Sequence, residues 1–544
     1  MRLLNLLRIT IFFLIALSFG TLIVILFFGG EFHFLGIEGR VRPASAIIIL
    51  CVLIAIAALI KNDASLKENF SKSTPALLFC TVMILYVGNF QTFGANDTTP
   101  ARYLPFSILR QGNFDLDELP ALHKRPVFSG LVKTDEHYVS SYPVGAALFA
   151  IPFYIPSVAG KIAANSWISS DLEKLAASCI VLLSAIIFYL TLLRVASRNI
   201  ALLITAIYTL ATSSFSVSSQ ALWQHGPSQL CLSAALYCIV RGATEPGWTS
   251  LAGFPSAFAV VCRPTDLLLV APIALFVLFH RTRQFPLFFI AGIPPVLFQL
   301  FYNKIYFHDF FRTQWDVAQD SFWSTPVLQG LANILFSPAR GLLIYSPIFV
   351  FSFVGIILSW RKGGKLLFRY LSVGVIAILL LYSKFFMWWG GYTYGPRLLA
   401  DLSPILCLFL LPVISLLSSR FIKAAFVVLA LWSFCAHAIG TYANDPFWNF
   451  ETDIDLNPKA AWIWNDNQLI NAPRRGFTAM KISLLKEPTT LNHPELFGAE
   501  IKTDLPELIE IQPGKKFSFP VEAINTGKAV WNYGGHREKG NVIL

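Results

Sequence analysis

Asp97 follows an apolar block of membrane-spanning length almost at once, in the run Gly94-Ala95-Asn96-Asp97-Thr98-Thr99-Pro100-Ala101-Arg102-Tyr103. A carboxylate at a membrane surface, facing an aqueous cavity, can act as general base on an incoming hydroxyl or amine. The Asp-Thr-Thr-Pro run is equally a good helix start with Asp97 as its cap, and the residues leave both readings open. Further along stand Asp115, Asp117 and Glu118, then Asp135-Glu136-His137-Tyr138-Val139-Ser140-Ser141-Tyr142-Pro143-Val144-Gly145. Most such loop carboxylates are merely solvated. His225, in Trp223-Gln224-His225-Gly226-Pro227, is either a site residue or a satisfied interfacial group. Three arginines interrupt the apolar pattern: Arg263 before Pro264-Thr265-Asp266, Arg340 in Ser337-Pro338-Ala339-Arg340-Gly341, and Arg397 in Trp388-Trp389-Gly390-Gly391-Tyr392-Thr393-Tyr394-Gly395-Pro396-Arg397. A charge at a membrane edge is costly and marks a functional candidate. The planar guanidinium fork suits phosphate oxygens, while snorkelling to the headgroups is the plainer alternative.

The elements that hold these residues follow from composition. Of 544 residues, 55% are hydrophobic and 13% charged, about half the charge a soluble domain carries. Most apolar blocks are long enough to cross ~30 Å of hydrocarbon at ~1.5 Å per residue. The net charge of +11 sits in short Lys/Arg clusters between those blocks, the positive-inside pattern, which argues against a nucleic-acid partner. All eight cysteines lie in or beside apolar blocks, so the sequence holds neither a disulfide framework nor a CxxC metal pattern. Residues 1–28 have a basic start and an uncleaved apolar run, the form of a signal anchor. Walker, Rossmann and HExxH motifs are absent from the sequence.

Placing the basic clusters on one side gives spans near 9–29, 43–60, 75–91, 174–193, 199–217, 227–241, 249–262, 266–280, 284–302, 342–360, 366–384, 400–418 and 422–440. The expectation is thus an all-α polytopic membrane protein: a domain 1–440 of about thirteen transmembrane helices, N-terminus cytoplasmic. Residues 92–141 and 303–341 form extracytoplasmic loops, and 441–544 an extracytoplasmic tail. Residues 142–164 are apolar but carry Pro143, Pro152 and Pro156; counting them as a span would put Arg194 and Arg198 outside, so a re-entrant or interfacial helix is preferred. In the tail, alternation over 516–524 followed by Asn525-Thr526-Gly527 predicts a β-hairpin. This topology puts Arg263, Arg340 and Arg397 near the outer surface, which favours a bound phosphate or pyrophosphate.

The order of these features is similar to that of the bacterial GT-C superfamily. The early Asp97, His-Tyr-x-Ser-x-Tyr-Pro-x-Gly-Ala-Ala-Leu from His137, Trp-x-His-Gly-Pro from Trp223, Arg-Pro-Thr-Asp from Arg263, Ser-Pro-x-Arg-Gly-Leu around Arg340 and Trp-Gly-Gly-x-x-Tyr-Gly-Pro-Arg-Leu-Leu around Arg397 together most resemble family 39 glycosyltransferases. Those are relatives of protein O-mannosyltransferases and the lipid A aminoarabinose transferase. The likeness covers about residues 75–410. It implies a GT-C-like bundle in the bacterial inner membrane, with a polyprenyl-phosphate sugar as donor and a glycan, lipid or protein as acceptor. It also implies Asp97 as general base and inversion at the sugar. The substrate-binding set is then Arg102, His137, Tyr142, His225, Arg263, Arg340, Trp389 and Arg397, with the arginines on phosphate and aromatics such as Tyr142 and Trp389 on a sugar face. His225 stands where many relatives carry a second acidic residue; no metal ligand is assigned, and the use of a divalent metal stays open. Two extra spans precede the first loop, and the tail beyond 440 has no counterpart. The competing expectations are a transporter or flippase of a lipid-linked saccharide, and an O-antigen-type polymerase or ligase built around arginines.

Overall fold

The computed structural model describes residues 2–34, 37–60, 66–123, 130–311, 320–444, 448–452, 454–470, 499–502 and 522–525. The chain is mostly helical (71%) with few strands, the architecture of an all-α membrane protein. Five helices are long and apolar enough to cross a bilayer: Leu7–Phe28, Ile168–Leu193, Phe285–Phe307, Leu366–Lys384 and Arg420–Tyr442. A sixth crossing is made if Arg397–Leu408 and Leu411–Ser418, bent by 57°, count together. That is fewer than the thirteen expected. Other apolar blocks are also helical, but most run for only 10–17 residues, because proline and serine-rich stretches cut them short.

Ile168–Leu193 forms the centre, with 67% of its apolar window buried, while Phe285–Phe307 has 17% buried. The latter turns Leu287, Phe289, Ile290, Val296, Phe301 and Ile305 outward, a continuous apolar face suited to lipid rather than water. Ile168–Leu193 packs on His225–Arg241; Ser184 ties it to that helix through Ser233 (3.0 Å) and to the helix Arg198–Leu210 through Tyr208 (2.7 Å).

The block expected at 199–217 is not one regular helix. It ends at Leu210, and a π-helical turn follows over Ser214–Ser218. Irregular backbone in a bundle must find internal partners, and the serines, threonine and glutamine of this stretch supply them. Thr212 donates to Tyr208 O (2.7 Å), Ser219 to Phe215 O (2.9 Å), Gln220 Nε2 to Phe215 O (2.7 Å), and Ser178 to Ser219 O (3.0 Å). Residues 142–164 contain the helix Gly145–Ala159, with Pro152 and Pro156 inside it and Tyr154 fully buried.

The basic clusters gather at one end of the bundle. Arg198 donates to Lys72 O (2.9 Å), Arg194 pairs with Glu245 (3.7 Å), Arg281 donates to Ile239 O (2.8 Å), and His280 bonds the Tyr370 hydroxyl (3.1 Å). At the other end Asn89 Nδ2 reaches Gln220 Oε1 and Thr441 O, each at 2.8 Å. The segment 89–97, and hence Asp97, belongs to that second end.

Two expectations about the soluble parts change. The stretch 303–341 is not a plain loop: it begins within Phe285–Phe307 and contains the helix Val327–Phe336. In the tail, Glu522–Asn525 pairs antiparallel with the upstream Ala499–Lys502 (Ala499 opposite Asn525); the rest of the expected hairpin, residues 516–521 and 526–527, lies outside the described residues. Residues 448–470 do not stand apart from the helical domain either. Ala461 O accepts from Ala339 N (3.1 Å) and Ser337 Oγ (2.8 Å), and Trp462 Nε1 donates to Asn333 (2.8 Å).

Candidate functional site

Asp97 does not cap the helix that follows. The cap position of Thr99–Gln111 is Thr98, and its hydroxyl turns back to Ala95 O (3.1 Å). The Asp97 carboxylate instead accepts from Arg397 Nη1, three hundred residues away, and from the Tyr142 phenol. Burial, and then the neighbouring carboxylate, push the Tyr142 hydroxyl well above the ordinary phenol value, so Tyr142 stays a donor at neutral pH. Both ionic side chains keep some solvent access, 20% for Asp97 and 11% for Arg397.

The backbone delivers these groups by a series of straps. Trp223 Nε1 donates to Phe93 O (3.0 Å), Phe93 N to Gln220 O (3.2 Å), and Thr92 Oγ1 to Ser170 O (3.0 Å). The indole of Trp223 is buried and lies 4.5 Å from the Arg397 guanidinium, within cation–π range. Opposite, Arg397 Nη2 donates to Gly390 O (2.6 Å), while its Nε is buried without a hydrogen-bond partner. Gly390 itself is at φ +76°, a conformation glycine adopts at least cost. The hairpin Leu131–Lys133 with Tyr138–Ser140 rests on the Asp97 loop through Gly130 (φ +69°), where a Cβ would lie 2.2 Å from Asn96 O. Asp97, Tyr142 and Arg397 thus come together, with Trp223 as the partner that sequence reasoning passed over in favour of His225.

His225 and Arg263 form a separate, buried layer with Asp401. His225 Nδ1 is 3.0 Å from Asp401 Oδ1, Arg263 Nη1 is 3.1 Å from His225 Nε2, and Arg263 Nε lies 2.7 Å from Asp401 Oδ2. A guanidinium only donates, so His225 Nε2 accepts and its Nδ1–H donates to Asp401. Both ring nitrogens are occupied, which leaves none for a ligand. Arg263 also donates to Tyr382, and Ser228 to Asp266.

Arg340 is likewise committed. Its donors go to Trp389 O (2.8 Å), Ala339 O (2.9 Å), Gly391 O (3.4 Å), Asn449 Oδ1 (2.6 Å) and Gln468 Oε1. With five of five donors used and the side chain buried, Arg340 holds the 389–391 loop in place and has nothing to offer a phosphate. Gln468 adds bonds to Thr393 O (2.8 Å) and from Gly395 N (3.1 Å), fixing the turn that presents Arg397. Trp389 is buried, with Nε1 on Asp455 (2.7 Å), and is a wall of that loop rather than an open sugar platform. Arg102 pairs with the fully buried Glu173 (2.5 Å), which also accepts from Leu222 N (3.2 Å); this brace carries the Thr99–Gln111 helix.

His137 lies with Asp115 and Asp117 between the helices Thr99–Gln111 and Gly145–Ala159, their ligand atoms within 4.8 Å of one another. Among the described residues this trio could accept a divalent cation, but it is already satisfied internally. His137 Nδ1 meets Asp117 Oδ2 at 2.7 Å, and Tyr138 N donates to Asp117 Oδ1 at 2.7 Å. The Asp117 bond raises the His137 imidazole above its usual range, and burial and then Asp117 raise Asp115.

No family model, curated protein or solved structure matches this chain.

Proposed function

We propose that this protein is an integral membrane glycosyltransferase that moves a sugar from a polyprenyl-phosphate donor to an acceptor on the outer side of the membrane. The reading is supported by one juxtaposition: a partly exposed carboxylate, Asp97, against a partly exposed guanidinium, Arg397, at the end of the bundle opposite the basic clusters. The acceptor hydroxyl attacks the anomeric carbon and its proton passes to Asp97. The bond from that carbon to the phosphate oxygen breaks, and its electron pair leaves with the polyprenyl phosphate, whose added charge Arg397 meets. Attack in line with the departing phosphate inverts the sugar. In this reading the basic end of the bundle is cytoplasmic. A reporter inserted at Asn113 should then be active only outside, and reporters at Thr282 and Gly363 only inside; equal sidedness for Asn113 and Thr282 removes this topology.

The test is to incubate the full chain in detergent with a panel of prenyl-phosphate sugars and read products by mass. Folded protein that transfers none of them refutes the reading. Arg397→Ala should slow transfer roughly 10- to 150-fold, the worth of one charge-assisted contact. Arg397→Lys should fall between, since it keeps the charge and loses the fork. Wild-type rates for both variants would leave Arg397 a structural anchor.

A second reading, a carrier of a lipid-linked saccharide, draws support from the buried Arg263–Asp401 pair, since charges within a bundle often mark transport paths. Movement of labelled lipid across a vesicle membrane without product formation would favour it.

A further inference from the structure

We propose that Arg397 holds Asp97 out of use until the phosphate of a lipid-linked ligand displaces it. The inference rests on the transferase reading above and adds a binding order to it. Asp97 accepts from Arg397 Nη1 and from Tyr142, so the carboxylate meant to take the acceptor's proton is already engaged on two sides. Arg397 in turn forms no other ion pair among the described residues. One Nη2 N–H donates to Gly390 O, Trp223 covers one face, and Nε is buried without a hydrogen-bond partner. A phosphate that takes Nη1 displaces Asp97 from it, and the exchange replaces one charge-assisted bond by another of the same kind. Once displaced, Asp97 keeps the Tyr142 bond and presents a free lone pair toward the acceptor. Proton abstraction then waits for the donor, which suppresses deprotonation of an acceptor that has no sugar to receive.

The experiment measures binding of decaprenyl phosphate to the full chain in nanodiscs, with thermal melting as a control on folding. Removing the competitor should strengthen binding: Asp97→Asn is expected to bind decaprenyl phosphate about fivefold more tightly than wild type, the value of one partly exposed ion pair. Asp97→Ala should behave alike, should the asparagine still occupy Arg397. The gain should vanish in Arg397→Ala/Asp97→Asn. Unchanged or weaker binding by both folded Asp97 variants overturns the displacement and leaves the transferase reading to be judged on product formation. A gain that survives in the double variant also overturns it, since plain repulsion between carboxylate and phosphate would then suffice. Inorganic phosphate binding as tightly as decaprenyl phosphate, with the same rank order, would overturn the lipid-linked assignment.

Discussion

Asp97→Asn protein is expected to transfer sugar at least about 100-fold more slowly than wild type, with a near-normal folded yield. Proton transfer by a placed side chain contributes roughly 10²–10⁴-fold, and asparagine cannot take the acceptor's proton. Size and a hydrogen-bond acceptor for Arg397 and Tyr142 are kept, so the loop 89–97 should stay strapped to Gln220 and Trp223. The start of the Thr99–Gln111 helix is also indifferent to the change, because Thr98 occupies the cap position. Asp97→Glu should retain some activity, the base surviving one methylene out of place. If Asp97 served only to anchor Arg397, the order would reverse: asparagine would be nearly silent in transfer, and glutamate the more damaging through crowding. Product formation and melting temperature measured on the same preparations separate the two. An active Asp97→Asn enzyme would remove the base from the mechanism.

Asp97, Tyr142 and Arg397 were legible because each is a polar residue at the margin of an apolar block, where composition alone makes it conspicuous. Their contact was not, since nothing along the chain says that positions 97 and 397 meet. Trp223 stood in the same motif as His225, and residue type favoured the histidine. Only geometry shows the indole against Arg397 and the imidazole closed off between Arg263 and Asp401. Arg340 misled for a related reason. A membrane-edge arginine reads as a phosphate ligand until its acceptors are found, and three of those are backbone carbonyls while Asn449 and Gln468 lie in the tail. The break at Ser214–Ser218 escaped because serine and threonine barely interrupt hydropathy, whereas a helix bends where their hydroxyls can take over backbone bonding. Counting spans from hydropathy therefore overran the helix lengths in the structure.

The buried layer carries the largest expected effect on stability. Asp401→Ala would leave the Arg263 guanidinium, 10% exposed, with a histidine nitrogen and the Tyr382 hydroxyl as partners but without its close anion. Breaking a buried ion pair from one side costs roughly 3–5 kcal/mol, whereas replacing both partners by apolar groups of similar volume is often neutral. Asp401→Ala should accordingly lose most of its folded yield in detergent, and Asp401→Asn, which still accepts from His225, should lose less. Arg263→Met/Asp401→Leu should recover much of the deficit. Asp266 is the alternative counter-ion: it is fully buried and one of its oxygens has no hydrogen-bond partner. If Asp266 takes over, Asp401→Ala will melt near the wild-type temperature and only Asp266→Ala/Asp401→Ala will collapse. Activity per folded molecule adds the functional half of the test. The layer lies four residues beyond Arg397 in sequence, through Asp401, and two beyond Trp223, through His225. If it only supports those two residues, the apolar double variant should transfer sugar once folded. A folded but inactive double variant would instead place Arg263 or Asp401 within reach of the substrate.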